Sequence, residues 1–232
     1  MKIIISSLLF VGLWTIAFAG DLSGTVNYDG KIPKKKTLRM DSDPVCNAAH
    51  SEAVYKQSFV VDENGNLANV LVYIKNISSD TAPSDIAVLD QNGCMYSPHV
   101  MGVQTGQEIK ILNSDPTMHN IHGLPKVNRE FNFGMPKTVK EKSISFDKVE
   151  DVFVVKCDVH PWMKSYVQVF DHPYFSVTGL DGKFTINNIP PGEYEVVAWQ
   201  EKFGSKRTLS QHVTVGDDSQ TLNFTFSRPK KK

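Results

Sequence analysis

Apolar residues recur along this chain in short alternating or β-branched runs. The run Val152-Phe153-Val154-Val155-Lys156 is β-branched and aromatic and predicts a strand. Ser165 to Phe170 alternates and predicts the next one. Tyr194, Val196 and Ala198 alternate with Glu193, Glu195 and Val197, the pattern of a half-buried strand. Thr208 to Val215 and Thr221 to Phe226 predict two more, and Asp181-Gly182 and Pro191-Gly192 are turn dipeptides. No strongly periodic amphipathic helix appears after residue 19, so the expected class is all-β. One apolar run differs. It extends from Ile3 to Phe18 behind Met1-Lys2 and ends in Ala17-Phe18-Ala19. A single basic residue, a short apolar stretch and an Ala-x-Ala site describe a signal peptide, residues 1–19, cleaved after Ala19. The run falls short of the roughly 20 residues a spanning helix needs. A periplasmic or secreted protein with no membrane span after cleavage is expected.

The strand ending at Lys156 runs directly into Cys157-Asp158-Val159-His160-Pro161-Trp162-Met163. A thiol, an imidazole and a thioether thus share one tight connection between two strands, and Pro161 stiffens it. Thiolate, thioether and imidazole together suit copper, and one Cys, two His and a weak axial Met form a blue-copper set. The further histidine can come from Met118-His119-Asn120-Ile121-His122. The connection holds one cysteine, so a binuclear copper centre with two loop cysteines is excluded. Lys156 and Asp158 flank that cysteine, where a multicopper oxidase places histidines. No Cys-x-x-Cys-His occurs for covalent haem.

These segments resemble the cupredoxin family. Gly106 to Asp115 followed by His119-Asn120 is similar to the front half of a cupredoxin, and Cys-x-x-His-Pro-x-Met is similar to the ligand loop of amicyanin-type members. The resemblance covers roughly residues 85–172. It implies a Greek-key β-sandwich with one mononuclear copper held by His119, Cys157, His160 and Met163. It implies that Asn120 tethers the loop. It also implies that the exposed edge of His160 is the electron port, within an apolar docking patch that includes Pro161 and Trp162. Three cysteines are an odd number for an oxidising compartment. With Cys157 on copper, Cys46 and Cys94 are left to form a disulfide.

A second resemblance concerns the flanks. Asp181-Gly182-Lys183-Phe184 and Pro190-Pro191-Gly192-Glu193-Tyr194 look like the second half of a carboxypeptidase regulatory-like, transthyretin-like β-sandwich. Ser23 to Gly30 and Asn69 to Lys75 resemble its first half. The expected organisation is an outer sandwich of residues 20–84 and 173–228, the cupredoxin inserted as 85–172, and a basic tail 229–232. The alternative is a tandem arrangement.

The remaining features add less. Formal charge is zero, from 25 cationic and 25 anionic side chains, and nothing suggests nucleic acid. Lys34-Lys35-Lys36 and the tail read as solvated surface, with docking of an acidic partner as the alternative. His99 and His122, with Met95, Met101 and Met118 nearby in sequence, are candidates for a second metal site. Core packing explains the methionines equally well. Cys46 and His50 have metal-pair spacing, but the disulfide accounts for Cys46 more simply. His172 and His212 read as structural or exposed. No Gly-x-Ser-x-Gly elbow or acid/base carboxylate pair occurs, and no enzyme is expected. The expected function is single-electron transfer to a redox protein partner, a cytochrome or oxidoreductase. The alternative is a copper chaperone or sequestering protein.

Overall fold

The computed structural model describes residues 19–83 and 85–228. The apolar leader through Phe18 and the basic tail lie outside the described residues. In chain order the elements are β1 (Gly20–Tyr28), the short helix α1 (Pro44–Ala48), β2 (Leu71–Lys75), β3 (Ala87–Asn92), β4 (Met95–Ser97), β5 (Val100–Gln104), β6 (Ile109–Asn113), β7 (His119–Gly123), β8 (Phe131–Met135) and β9 (Glu141–Ile144). They continue with β10 (Glu150–Lys156), β11 (Lys164–Phe170), β12 (Phe175–Val177), β13 (Lys183–Ile189), β14 (Gly192–Trp199), β15 (Leu209–Val215), β16 (Gln220–Thr221) and β17 (Phe224–Phe226).

The molecule is built almost wholly of strands. β3 to β11 pair only among themselves, in the orders β5-β11-β10-β7-β8 and β4-β3-β6-β9. Their inner faces close over one core that includes Ile111, Ile121, Met135, Phe153, Val155 and Val167. The alternating burial of β6 (Ile109, Ile111 and Asn113 in, Lys110 and Leu112 half-exposed) is the period-two pattern of such a face.

The flanking strands form a second sandwich. β1 pairs with β13, β16 and β17, while β2 pairs with β12 and β14, and β14 with β15. Strands on either side of β3–β11 therefore share sheets. The expected strand over Thr221 to Phe226 is split. Asn223 turns its Oδ1 to the Thr25 amide (2.8 Å), and β1 changes partner from β16 to β17 at that point. Gly24 permits the crossing, because a Cβ there would collide with the Leu222 carbonyl oxygen. Phe170 stacked on Phe175 (centroids 4.7 Å), with Leu71, Val100 and Trp199, forms a small apolar cluster joining the two sandwiches.

Not all of the 20–84 segment serves the outer sandwich. Leu38, Met40, Cys46 and Val54 pack into the inner core. Cys46 on α1 is disulfide-bonded to Cys94, in the turn between β3 and β4. The N-terminal segment thus leaves β1, crosses the inner sandwich and returns as β2.

Candidate metal centre

β10 delivers Cys157 and β11 begins at Lys164, so Cys157 to Met163 must turn between adjacent antiparallel strands. The turn closes on itself: Cys157 N donates to Met163 O (3.2 Å) and Met163 N to His160 O (2.9 Å). His119 opens β7 next to this loop. The ligand atoms of His119, Cys157 and His160 lie within 4.8 Å of one another, and all three side chains are buried. Met163 is 1 % exposed and belongs to the same apolar core as Cys157.

Asn120 ties β7 to the loop. Its Oδ1 accepts hydrogen bonds from Asp158 N (2.6 Å), Val159 N (3.3 Å) and the Cys157 thiol (3.3 Å). Its carbonyl accepts from the buried Tyr96 hydroxyl (2.6 Å).

Each imidazole is oriented by a carboxylate. His119 Nε2 donates to Asp115 Oδ2 at 2.8 Å, and His160 Nε2 donates to Asp43 Oδ2 at 3.0 Å. With both Nε2 atoms so engaged, both Nδ1 atoms face the cluster, 2.9 Å apart. Asp43 is the N-cap of α1. Its Oδ1 accepts from Val45 N (2.8 Å) and Cys46 N (3.1 Å), which aims the other oxygen at His160. Asp115 accepts from Gly93 N (2.7 Å) and Cys94 N (2.8 Å), holding a turn in which Gly93 has φ +61° and Cys94 +54°. The disulfide therefore links the segments that carry the two orienting carboxylates.

The electrostatics follow. Burial opposes charge on His119, but the Asp115 carboxylate and the Cys157 sulfur outweigh it and lift the imidazole to about 9. Burial would raise the Cys157 thiol, yet hydrogen bonds from His119 and from the Asn120, His160 and Val159 backbone hold it below its ordinary value. The His160 hydrogen bond, followed by the Cys46 amide, holds Asp43 below the usual carboxylate range. Sulfur and ring thus carry charge more readily than burial alone would allow, at a site where a cation can take the place of a proton.

The donor set fits copper. A cysteine sulfur and two imidazoles, with a thioether buried in the same core, are soft and borderline donors. Asp43 and Asp115 bind the outer nitrogens of the two rings and so orient the donors without joining them.

Other expected positions fall differently. His160 is 2 % exposed, so the exposed edge implied by the family resemblance is absent. Asp43 lies against that edge, and Cys46 Sγ sits 3.6 Å from Nε2. Pro161 is exposed. Trp162 is half-buried, its ring 5.0 Å from that of His160 and its Nε1 donating to Cys94 O (3.0 Å).

His122 is three residues beyond His119 on a strand and so points to the opposite face, where it lies between Asp158 (2.9 Å) and Glu130 (3.0 Å). His99 is separate again, paired with Glu201 at 2.9 Å. Among the described residues neither belongs to a group of three whose ligand atoms all lie within 4.8 Å of one another, since His122 meets its two carboxylates through opposite ring nitrogens. Asp43 and Asp115 were not singled out by sequence reasoning. Asp43-Pro44 has the form of a helix start, a usable local signal. Nothing local places that helix against His160.

Known proteins match parts of this architecture. Residues 158–223 match the family model "Polysaccharide lyase family 4, domain II", a fibronectin-like domain, and not the transthyretin-like domain expected from the turn pattern. Asp-Gly and Pro-Gly dipeptides mark turns between strands in many β-sandwiches, and this explains the misassignment. No curated protein sequence matches the chain. Among solved structures, a copper-containing nitrite reductase (NirK) from Thermus scotoductus SA-01 is 19% identical at a TM-score of 0.33, covering 43% of this chain and 25% of that one. The chain thus spans about a quarter of the length of that reductase. A methionine-to-alanine variant of amicyanin in its Cu(I) form is 22% identical at the same TM-score, over 43% of this chain and 98% of that one. An oxidised proline-to-glycine amicyanin variant is 19% identical, with the same coverage and TM-score. The chain is similar to cupredoxins in part of its length.

Proposed function

We propose that this protein is a periplasmic or secreted mononuclear copper protein that carries single electrons. The observation that supports it most is the convergence of His119, Cys157 and His160, buried and turned inward by Asp115 and Asp43. In this reading Met163 supplies the weak axial donor. Copper bound there would supply a one-electron couple between its two oxidation states. The residues supply a donor set held by strand pairing, by Asn120 and by two carboxylates, so that little rearrangement accompanies a change of charge. The Cys46–Cys94 disulfide fits an oxidising compartment.

Copper handling is the competing reading, and the cover over His160 weighs against it. A metal that must be handed over needs an open approach, whereas α1 is disulfide-pinned over that imidazole. With the His160 edge covered, Trp162, whose ring lies 5.0 Å from that of His160, and the exposed Pro161 beside it form the route for electrons. Reversible voltammetry and copper(I) transfer to a chelator distinguish the two readings. A fast reversible couple with slow transfer is expected. Rapid transfer with no reversible couple would overturn the carrier reading.

A further inference from the structure

The Lys34-Lys35-Lys36 run lines a cleft of about 540 Å³. The cleft lies partly on the outer sandwich and is assembled from distant parts of the chain. Lys56 adds a fourth cation, because its amide donates to Lys36 O (2.9 Å) in a short ribbon that also pairs Thr37 with Tyr55. Lys202, Arg207 and Arg228 complete the charge. No acidic side chain lines the cleft, and among the described residues only Lys202 of these seven cations has an ion-pair partner. In a chain of zero formal charge, such a concentration is a local field and not a property of the whole molecule. The aromatic lining is firmly seated: Phe59 packs edge-on against Tyr28 (5.0 Å), and Phe203 packs on Phe226 (4.7 Å). Gln57 lines the cleft as well, and its Oε1 is buried with no hydrogen-bond partner among the described residues.

The cleft does not end on the outer sandwich. Lys56, Gln57, Ser58 and Lys202 also line a neighbouring hollow of about 180 Å³, whose opposite side is Pro161, Trp162 and Met163. These four shared residues set the two hollows side by side; the second also has Glu201, whose carboxylate is already paired with His99 and Lys202.

We propose that this cleft docks an acidic, extended segment of the redox partner and so sets that partner over Pro161 and Trp162. The proposal rests on the electron-carrier reading. Exposed cations steer an acidic surface from a distance and fix its orientation. Seated aromatic rings accept apolar side chains interspersed with the acids. Cations spread along the length of the cleft fit a run of carboxylates on an extended segment better than one small inorganic anion.

The test is fluorescence anisotropy of a fluorescein-labelled, Glu-rich peptide with a central Phe, titrated with the full-length copper-loaded protein. Binding at low salt that weakens steeply as salt rises is expected. Lys35→Glu combined with Arg207→Glu should weaken it roughly tenfold or more, since like charges then face the peptide. Lys110→Glu, on the inner sandwich, should leave it unchanged. Absence of binding, or binding indifferent to the double reversal, overturns the proposal. So does displacement of the peptide by inorganic phosphate at comparable affinity, which would make this a small-anion site. The Cys157→Ser variant separates the two readings. It should lose any thiolate–copper absorption yet bind the peptide normally. A wild-type protein with that absorption and no peptide binding would sink the docking proposal alone.

Discussion

The two histidines of the candidate centre are held by equivalent contacts of very different origin. His119 is oriented by Asp115, four residues away on the approach to the same strand. His160 is oriented by Asp43, which arrives from a segment 117 residues distant. The His119 side is therefore complete within the inner sandwich. The His160 side is finished by the N-terminal excursion of the outer one, and the disulfide fastens the two sides together. The lesson is that a metal centre can be local in its candidate ligands and non-local in what orients and covers them.

Removing the bridge should have the largest effect. The Cys46→Ala, Cys94→Ala double variant closes no loop in the unfolded chain and should lose about 2–5 kcal/mol of stability in denaturant unfolding. With α1 released, copper should also leave the protein faster. A destabilised variant with unchanged copper release would show that α1 covers His160 without the bridge.

The two carboxylates can then be compared directly. Asp115→Asn should lower copper affinity about 10- to 100-fold, the usual cost of losing the partner that orients a metal-binding histidine. Asp43→Asn should cost less affinity, because asparagine still caps α1 about as well as aspartate does. Its main effect should be faster copper release. Competition with a chelator and stopped-flow metal removal measure both, and equal effects from the two variants would erase the distinction.

The pH dependence is smaller and belongs to the His119 side. That imidazole is lifted from 6.5 to about 9, so at neutral pH a proton must leave it before metal can bind. Apparent copper affinity should climb with pH until about 9 and then level off. The rise should shrink in Asp115→Asn, where the proton is held less tightly.

The contrast also shows what the chain reveals before it folds. Strands β10 and β11 and the loop between them are legible because hydrophobic alternation and ligand spacing lie in one continuous stretch. The Cys46–Cys94 pairing followed from counting cysteines. The opposite facing of His122 follows from strand periodicity alone. Asp43 was not legible as part of the centre, since its approach to His160 depends on the path of the whole N-terminal excursion. The same excursion buries the histidine edge expected to be exposed. Lys34-Lys35-Lys36 reads as solvent-facing surface because Lys56, Lys202, Arg207 and Arg228 join it only in three dimensions. The turn dipeptides of the outer sandwich marked turns, each joining strands of different sheets and closing no hairpin, but not its family, because turn chemistry is shared across β-sandwiches.

The most direct test is the visible absorption spectrum of the protein titrated with copper(II), with bound metal counted by native mass spectrometry. The account predicts one copper per chain and an intense thiolate-to-copper band that saturates at one equivalent and vanishes in Cys157→Ser. Copper bound without that band, or a band that survives in Cys157→Ser, would contradict it.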